Sequence, residues 1–294
     1  MVRLQFTIDL DYDVLQRTPF IFQIQAAKSQ RQQVLDERLE TEPTVPLAHY
    51  IDAPTGTRAT RLIAPAGHFG VHYAATVDID HYLADPREIA ETPVERLPTS
   101  VLPYLRPSRY CQSDRLQSAA LSEFGHLPLG YARVEAIRRW VHKRTRFQVG
   151  ASHVGTSALD TFVEHCGVCR DFVHLMIAYC RALSIPARFV TGLDYGADPA
   201  LGPPDFHSYI ECYVGGRWYL FDPTGISPPM GLVRIATGRD AADVAFAAYF
   251  TQVKWTMPKV WVDVVVDTEK NLHPAQHTEL AVSTADDEPE CGSG

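Results

Sequence analysis

No stretch of the 294-residue chain approaches eighteen consecutive apolar residues, so the sequence offers no membrane-spanning helix and no membrane partner is expected. The opening segment, Met1 to Val14, lacks the basic and then apolar layout of a secretion signal, which makes a cytoplasmic protein the expectation. Basic charge is short as well: Lys and Arg number 27 against 35 Asp and Glu, a formal net charge of -8, and no basic stripe gathers anywhere. A phosphate backbone would find no electrostatic footprint, so nucleic acid is not an expected partner. Cysteine is sparse, with six residues at 111, 166, 169, 180, 212 and 291 in a chain far too long for a small disulfide scaffold. Free thiols are expected. There is no internal repeat, and no second Cys or His pair stands at zinc spacing from His165, Cys166 and Cys169, so neither metal nor cofactor is expected.

What is present fits an ordinary globular chain, 46% hydrophobic and 21% charged, long enough for two cores. Residues 3–12, 20–26 and 71–79 alternate polar and apolar side chains between Pro, Gly and Asp breakers, the period of half-buried strands. They predict a β-sandwich-like amino-terminal domain over residues 1–95. A linker with Pro98, Pro103 and Pro107 follows at 96–112, and the rhythm then changes. Helical patterns occupy residues 114–123 and 131–142, and an almost wholly apolar stretch runs from Cys169 to Leu183 until Ser184-Ile185-Pro186 stops it. Strands are predicted at 187–193, 207–214, 217–222 and 260–266. The second domain is therefore assigned to 113–272, and the polar, acidic residues 273–294 are expected to be a disordered tail that includes Cys291. Together these calls make an α+β fold class.

Cys169 begins the buried helix, where unpaired N–H groups and the positive end of the dipole favour a thiolate. Gly215-Gly216 predicts a two-residue hairpin turn that pairs Val214 with Arg217. Counting back by twos, His207, Tyr209, Glu211 and Tyr213 share a face with Trp218, Leu220 and Asp222, which makes His207 and Asp222 diagonal neighbours. An imidazole and a carboxylate can bridge that gap. If the Cys169 helix crosses the same face, the three become nucleophile, base and orienter. Singly, each has an ordinary reading: a small residue at a helix end, a surface histidine, an Asp opening a turn. Jointly they favour the chemical one.

Gly167-Val168-Cys169-Arg170-Asp171-Phe172-Val173-His174-Leu175, with Ala187 to Gly192, Phe206 to Tyr213 and Trp218 to Thr224, resembles the bacterial transglutaminase-like superfamily. The resemblance implies a papain-like core in which a central helix packs on an antiparallel sheet, with Cys169, His207 and Asp222 as the triad. It also implies acyl transfer on the amide bonds of a protein or peptide, to water in a peptidase or amidase, or to an amine in a transglutaminase. The hydrolase is the favoured reading, and the main-chain N–H of Cys169 is the expected oxyanion donor. Two alternatives remain: a dithiol oxidoreductase using Cys166 and Cys169, whose spacing also fits a redox pair, and a non-catalytic binding scaffold. His174 is expected to be a core histidine, Cys180 and Cys212 inert core thiols, and Trp218 and Tyr209 sheet residues first and groove lining second.

Overall fold

The structure, a computed structural model, describes residues 1–53, 55–197 and 205–286. Strands come first: β1 (Val2–Val14), β2 (Thr18–Phe22), β3 (Gln32–Glu42), β4 (Ala48–Ile51), β5 (Arg58–Ala64), β6 (Gly67–Ile79) and β7 (Tyr82–Ala84). Next are α1 (Gln117–Phe124), α2 (Tyr131–Arg144), β8 (Arg146–Phe147), α3 (Ala158–Glu164), β9 (Cys166–Gly167) and α4 (Cys169–Ala182). The chain then forms β10 (Ala187–Leu193), β11 (Phe206–Val214), β12 (Arg217–Phe221) and β13 (Val233–Gly238). It ends in β14 (Ala247–Tyr249), β15 (Val253–Trp255), β16 (Lys259–Val265) and β17 (Ala281–Ser283).

The even-numbered residues of β1, from Val2 to Val14, are all buried, as its alternating sequence requires. They face β2, whose Phe20 and Phe22 rings stack 5.3 Å apart, and Tyr12 meets Phe20 edge-on at 5.1 Å. This aromatic contact joins two sheets, one with β1 between β6 and the β15 and β16 strands, the other ordered β14-β2-β5-β4. Each buried aromatic contributes on the order of 1.5–3 kcal/mol by leaving water. β3, which is mostly polar, follows neither period nor composition; it forms because β6 offers a ladder from Gln32 to Glu42, broken only by a bulge between Val34 and Asp36.

The second sheet system holds His207 and leads into Asp222. Its order is β12-β11-β10-β13, all antiparallel, and α4 lies against it with every residue from Asp171 to Arg181 buried. The helix stops where Ile185 N–H bonds back to Cys180 O at 2.9 Å with Ser184 in the left-handed region at φ 60°, and Pro186 prevents continuation. The α+β class and the helix-on-sheet core are as expected.

Two boundaries differ. Strands β14, β15 and β16, assigned by sequence to the second domain, return to the amino-terminal sheets: β16 pairs with β1 from Arg3 to Asp9, β15 continues along it from Tyr12 to Val14, and β14 pairs with β2. Local periodicity marks a strand but does not name its partner. The segment from 273 is also not wholly disordered. Ala281 to Ser283 pair with β7, and Val282 packs on Val190, Tyr209 and Leu220 of the outer sheet face. Its few apolar residues are too short a run for composition to register, yet they cap an otherwise open sheet. Cys291 and the rest of the tail from 287 lie outside the described residues.

Candidate active site

The start of α4 is built by three side chains around Cys169. Asp171, fully buried, accepts the Val168 N–H at 2.8 Å, closing the first turn from below. Ser152 Oγ donates to the other Asp171 oxygen at 3.1 Å, while Arg170 bonds Ser152 Oγ at 2.8 Å and the carbonyl of His153. Arg170, out of place at a helix start by charge alone, therefore pins the loop before the helix. Residue 167 must be glycine, because a Cβ there would fall 2.6 Å from Asp171 Cβ. As the first helical residue, Cys169 has a main-chain N–H with no intrahelical partner, pointing out of the positive end of α4.

The hairpin has the expected register, with Val214 opposite Arg217 and Tyr213 opposite Trp218, and both Gly215 and Gly216 sit at positive φ, 59° and 76°, as a primed two-residue turn demands. His207 and Asp222 are diagonal across its open end. Nε2 of His207 lies 3.3 Å from Asp222 Oδ2, and the two residues are only 6% and 5% exposed. Asp222 is held from the far side as well. Its Oδ1 accepts Thr224 N–H at 2.8 Å and Thr224 Oγ1–H at 2.6 Å, and its Oδ2 accepts the N–H groups of Ile226 and Ser227 at 3.1 Å each. The Tyr209 ring closes the other side of the imidazole, edge-on at 4.7 Å.

The helix does not cross the face that carries His207 and Asp222. α4 packs on the even-numbered face of β11, where Cys180 Sγ touches Cys212 Sγ at 3.7 Å and Ile210 and Val214 join the same core. The odd-numbered face looks away, with Tyr209 and Leu220 in one small cluster and Tyr213 and Trp218 in another. Cys169 comes near His207 and Asp222 at the end of the strand instead. Cys169, at the tip of α4, has its thiol 3.7 Å from Ser208 Oγ, on the residue next to His207, and is near enough to the imidazole to help raise its pKa. Since Nε2 faces Asp222, the nitrogen left for the thiol is Nδ1.

The electrostatics favour an ion pair. Burial works against a charged His207, but the charge of Asp222, its hydrogen bond, and the neighbouring Cys169 together raise the imidazole well above its ordinary value. Burial likewise opposes ionisation of Asp222, yet the imidazolium and the donors Thr224 and Ser227 hold it below the usual carboxylate range. His207 and Asp222 thus stabilise each other's charged forms.

Several residues weighed in the sequence stand elsewhere. His174 is a core residue: its Nε2 accepts the Ala241 N–H at 3.2 Å, its ring stacks on Tyr110, and burial pushes its pKa down to about 3. Trp218 is buried on the outer face beneath Arg188, 4.2 Å from the guanidinium, and lines no groove. Cys166 belongs to β9, a two-residue strand parallel to β8, so the long strand that introduces a redox dithiol is missing before the Cys166 and Cys169 pair. Among the described residues no group of three or more His, Cys, Asp or Glu could hold a metal ion. Sequence reasoning overlooked Thr224, Ser227 and Asp194. Thr224, two residues past an Asp at a turn, carries a readable signal, since such a pair forms an Asx turn; the other two act only through the tertiary fold.

Residues 123–223 match the transglutaminase-like superfamily, and residues 2–100 match the bacterial transglutaminase N-terminal domain. An uncharacterised Mycobacterium leprae protein, ML0607, is 28% identical over 224 residues, 73% of this chain and 80% of that protein. A crystal structure of a candidate cysteine protease from Cytophaga hutchinsonii superposes with a TM-score of 0.89 at 39% identity, covering 97% of this chain and 98% of the other. With both halves matched and a relative aligned from end to end, the chain belongs to the transglutaminase-like superfamily.

Proposed function

We propose that this protein is a cysteine-nucleophile acyl-transfer enzyme that hydrolyses amide bonds of a protein or peptide, with Cys169 as nucleophile, His207 as base and Asp222 as orienter. The observation that carries the reading is the row of half-buried Cys169 and buried His207 and Asp222, in which one imidazole lies beside the thiol and 3.3 Å from the carboxylate. The raised proton affinity of His207 lets Nδ1 hold the thiol proton, giving a thiolate–imidazolium pair, and the thiolate attacks the carbonyl carbon. The oxyanion develops toward the free N–H of Cys169 at the helix tip. As the tetrahedral species collapses, the imidazolium returns its proton to the departing amine and a thioester remains. Water, deprotonated by the same imidazole, then attacks the thioester carbonyl, releasing the acid and restoring the thiol.

Water as the acceptor is supported by the full-length similarity to a candidate protease. The test is an intact-mass search for the acyl-enzyme with p-nitrophenyl acetate and with peptide pools, in the parent and in Cys169→Ala, with and without a primary alkylamine. A Cys169-bound acyl group that decays to free acid is the expected result. Decay to the amide in preference to the acid would replace the hydrolase reading with an amine-transfer one, and acylation that persists in Cys169→Ala would end the proposal.

A further inference from the structure

A second buried carboxylate stands behind the triad, and no step above uses it. Asp194 follows the last residue of β10 and is 7% exposed. Its Oδ2 accepts the Ser227 hydroxyl at 2.9 Å, and its Oδ1 accepts the Asp205 N–H at 3.3 Å. Both partners stand one short step from the chemistry. Ser227 donates its own N–H to Asp222 Oδ2 at 3.1 Å, and Asp205 lies two residues before His207 at the mouth of β11.

From this geometry we infer that Asp194 is a positioning residue: one carboxylate ties the turn that holds Asp222 to the strand that holds His207, and so fixes the separation between orienter and base. This rests on the acyl-transfer reading of the site. The need for such a tie follows from the register. Paired residues of β11 and β12 end at Ile210 and Phe221, so although His207 is still laddered to Gly192 of β10, Asp222 lies past the last β11–β12 pair and no pairing of those two strands sets its spacing from His207. At 3.3 Å the His207 to Asp222 contact is already at the long end of the useful range, and a drift of half an ångström would lose it. Among the described residues, Thr224 and Ile226 shape the turn around its own carboxylate and hydrogen-bond to nothing on β10 or at the start of β11 except the imidazole itself. Asp194 spans that gap from a third strand.

The inference distinguishes a tether from a charge effect. In Asp194→Asn the amide can still serve both partners, its oxygen accepting the Asp205 N–H and its NH₂ donating to the Ser227 hydroxyl, which reverses its role. In Asp194→Ala both ties go. In Ser227→Ala only the arm toward Asp222 goes, in a variant with no new buried charge.

The experiment needs no natural substrate. The rate at which the Cys169 thiolate displaces iodide from iodoacetamide is followed by peptide mapping from pH 5 to 9 in the parent, Asp194→Asn, Asp194→Ala and Ser227→Ala, alongside kcat and KM for p-nitrophenyl acetate. Circular dichroism melts confirm that each protein is folded at the assay temperature. Asp194→Ala is expected to lose about tenfold in the pH 6 alkylation rate and in kcat with KM unchanged, the scale of about 1.4 kcal/mol of lost alignment, and its pH profile should slide toward that of a free thiol. Ser227→Ala should move the same way by less, and Asp194→Asn should stay within about threefold of the parent. Parent-like rates and pH profile in both Asp194→Ala and Ser227→Ala overturn the inference, as does an Asp194→Asn as impaired as Asp194→Ala. A parent Cys169 that itself reacts like a free thiol is a different failure, and it removes the acyl-transfer reading.

Discussion

Replacing Asp222 with Asn changes little in volume and much in chemistry. In the parent, five donors converge on two oxygens: Thr224 N–H and Oγ1–H on one, and His207 Nε2 with the N–H groups of Ile226 and Ser227 on the other. An Asn side chain has one oxygen and one NH₂. If its oxygen keeps the two Thr224 donors, its NH₂ faces two backbone N–H groups and the imidazole. The backbone groups cannot change, but the imidazole can: it adapts by presenting a bare Nε2 and moving its proton to Nδ1, the nitrogen that must accept from the Cys169 thiol. The base is then in the wrong tautomer. A hydrogen bond to a charged group is worth roughly 1.5–3 kcal/mol, which at about 1.4 kcal/mol per decade corresponds to a loss of about one to two powers of ten in kcat/KM. Tautomer inversion adds to this, so about tenfold is a floor. The assay is kcat/KM for p-nitrophenyl acetate across pH 5 to 9, with a melting curve to confirm folding. A variant within twofold of the parent, with the same pH profile, would refute both the tautomer argument and the role of Asp222.

The pH dependence of stability follows from the same pair. His207 has a folded value raised above its ordinary 6.5, so its contribution is complete below about 6.5 and is lost as pH rises through the raised value. Asp222 is depressed below 3.8, so its contribution is present above about 3.8 and is lost as pH falls through the depressed value. The difference in melting temperature between the parent and His207→Ala should therefore be largest from about pH 4 to 6.5 and shrink on either side; a difference that grows steadily toward pH 9 would contradict this. Glu211, fully buried between Arg188 and Arg234, is held at about 2 by their charges in spite of burial. Glu211→Ala should cost about 3–5 kcal/mol in urea unfolding, since it strands buried guanidinium charge, and a loss under about 1 kcal/mol would show that water reaches the cluster. Cys166→Ser should keep most of the turnover while Cys169→Ser abolishes it. Equal loss in both, with a Cys166 to Cys169 disulfide in the isolated protein, would favour the dithiol enzyme.

The legible part of the site was the part encoded within a few residues. Gly215-Gly216 fixes a register, the register fixes a face, and His207 and Asp222 follow by counting in twos. Cys169 was legible because a glycine before it and an apolar run after it announce a helix start. The face on which α4 would pack was not legible. Both faces of β11 are buried here, the even one by α4 and the odd one by Val282 and by the linker residues Leu97, Val101 and Tyr104, so burial pattern carries no sign. The Asp194 to Ser227 bond joins residues 33 apart, and nothing local to either foretells the other. The polar β3 and the short β17 escaped for a related reason, because each forms where a partner strand already offers unpaired backbone groups rather than where its own sequence insists.

The return of β14, β15 and β16 to the amino-terminal sheets bears on how the chain can be divided. A cut in the linker at 96–112 looks clean in sequence, but it would separate β1 and β2 from the strands that complete their edges, leaving about ten residues of β1 backbone unpaired along one side. Such an edge invites pairing with a second chain. Neither piece would be a self-sufficient folding unit, because the first lacks its last strands and the second carries them with nothing to pair against. The two halves are interlocked like a clasp closed from the far end, so folding of the amino-terminal sheets is completed only after the β10 to β13 sheet has been synthesised. A loss of stability in one half is then communicated to the other through covalent continuity and shared ladders, and the protein should unfold in one step even though its sequence reads as two domains.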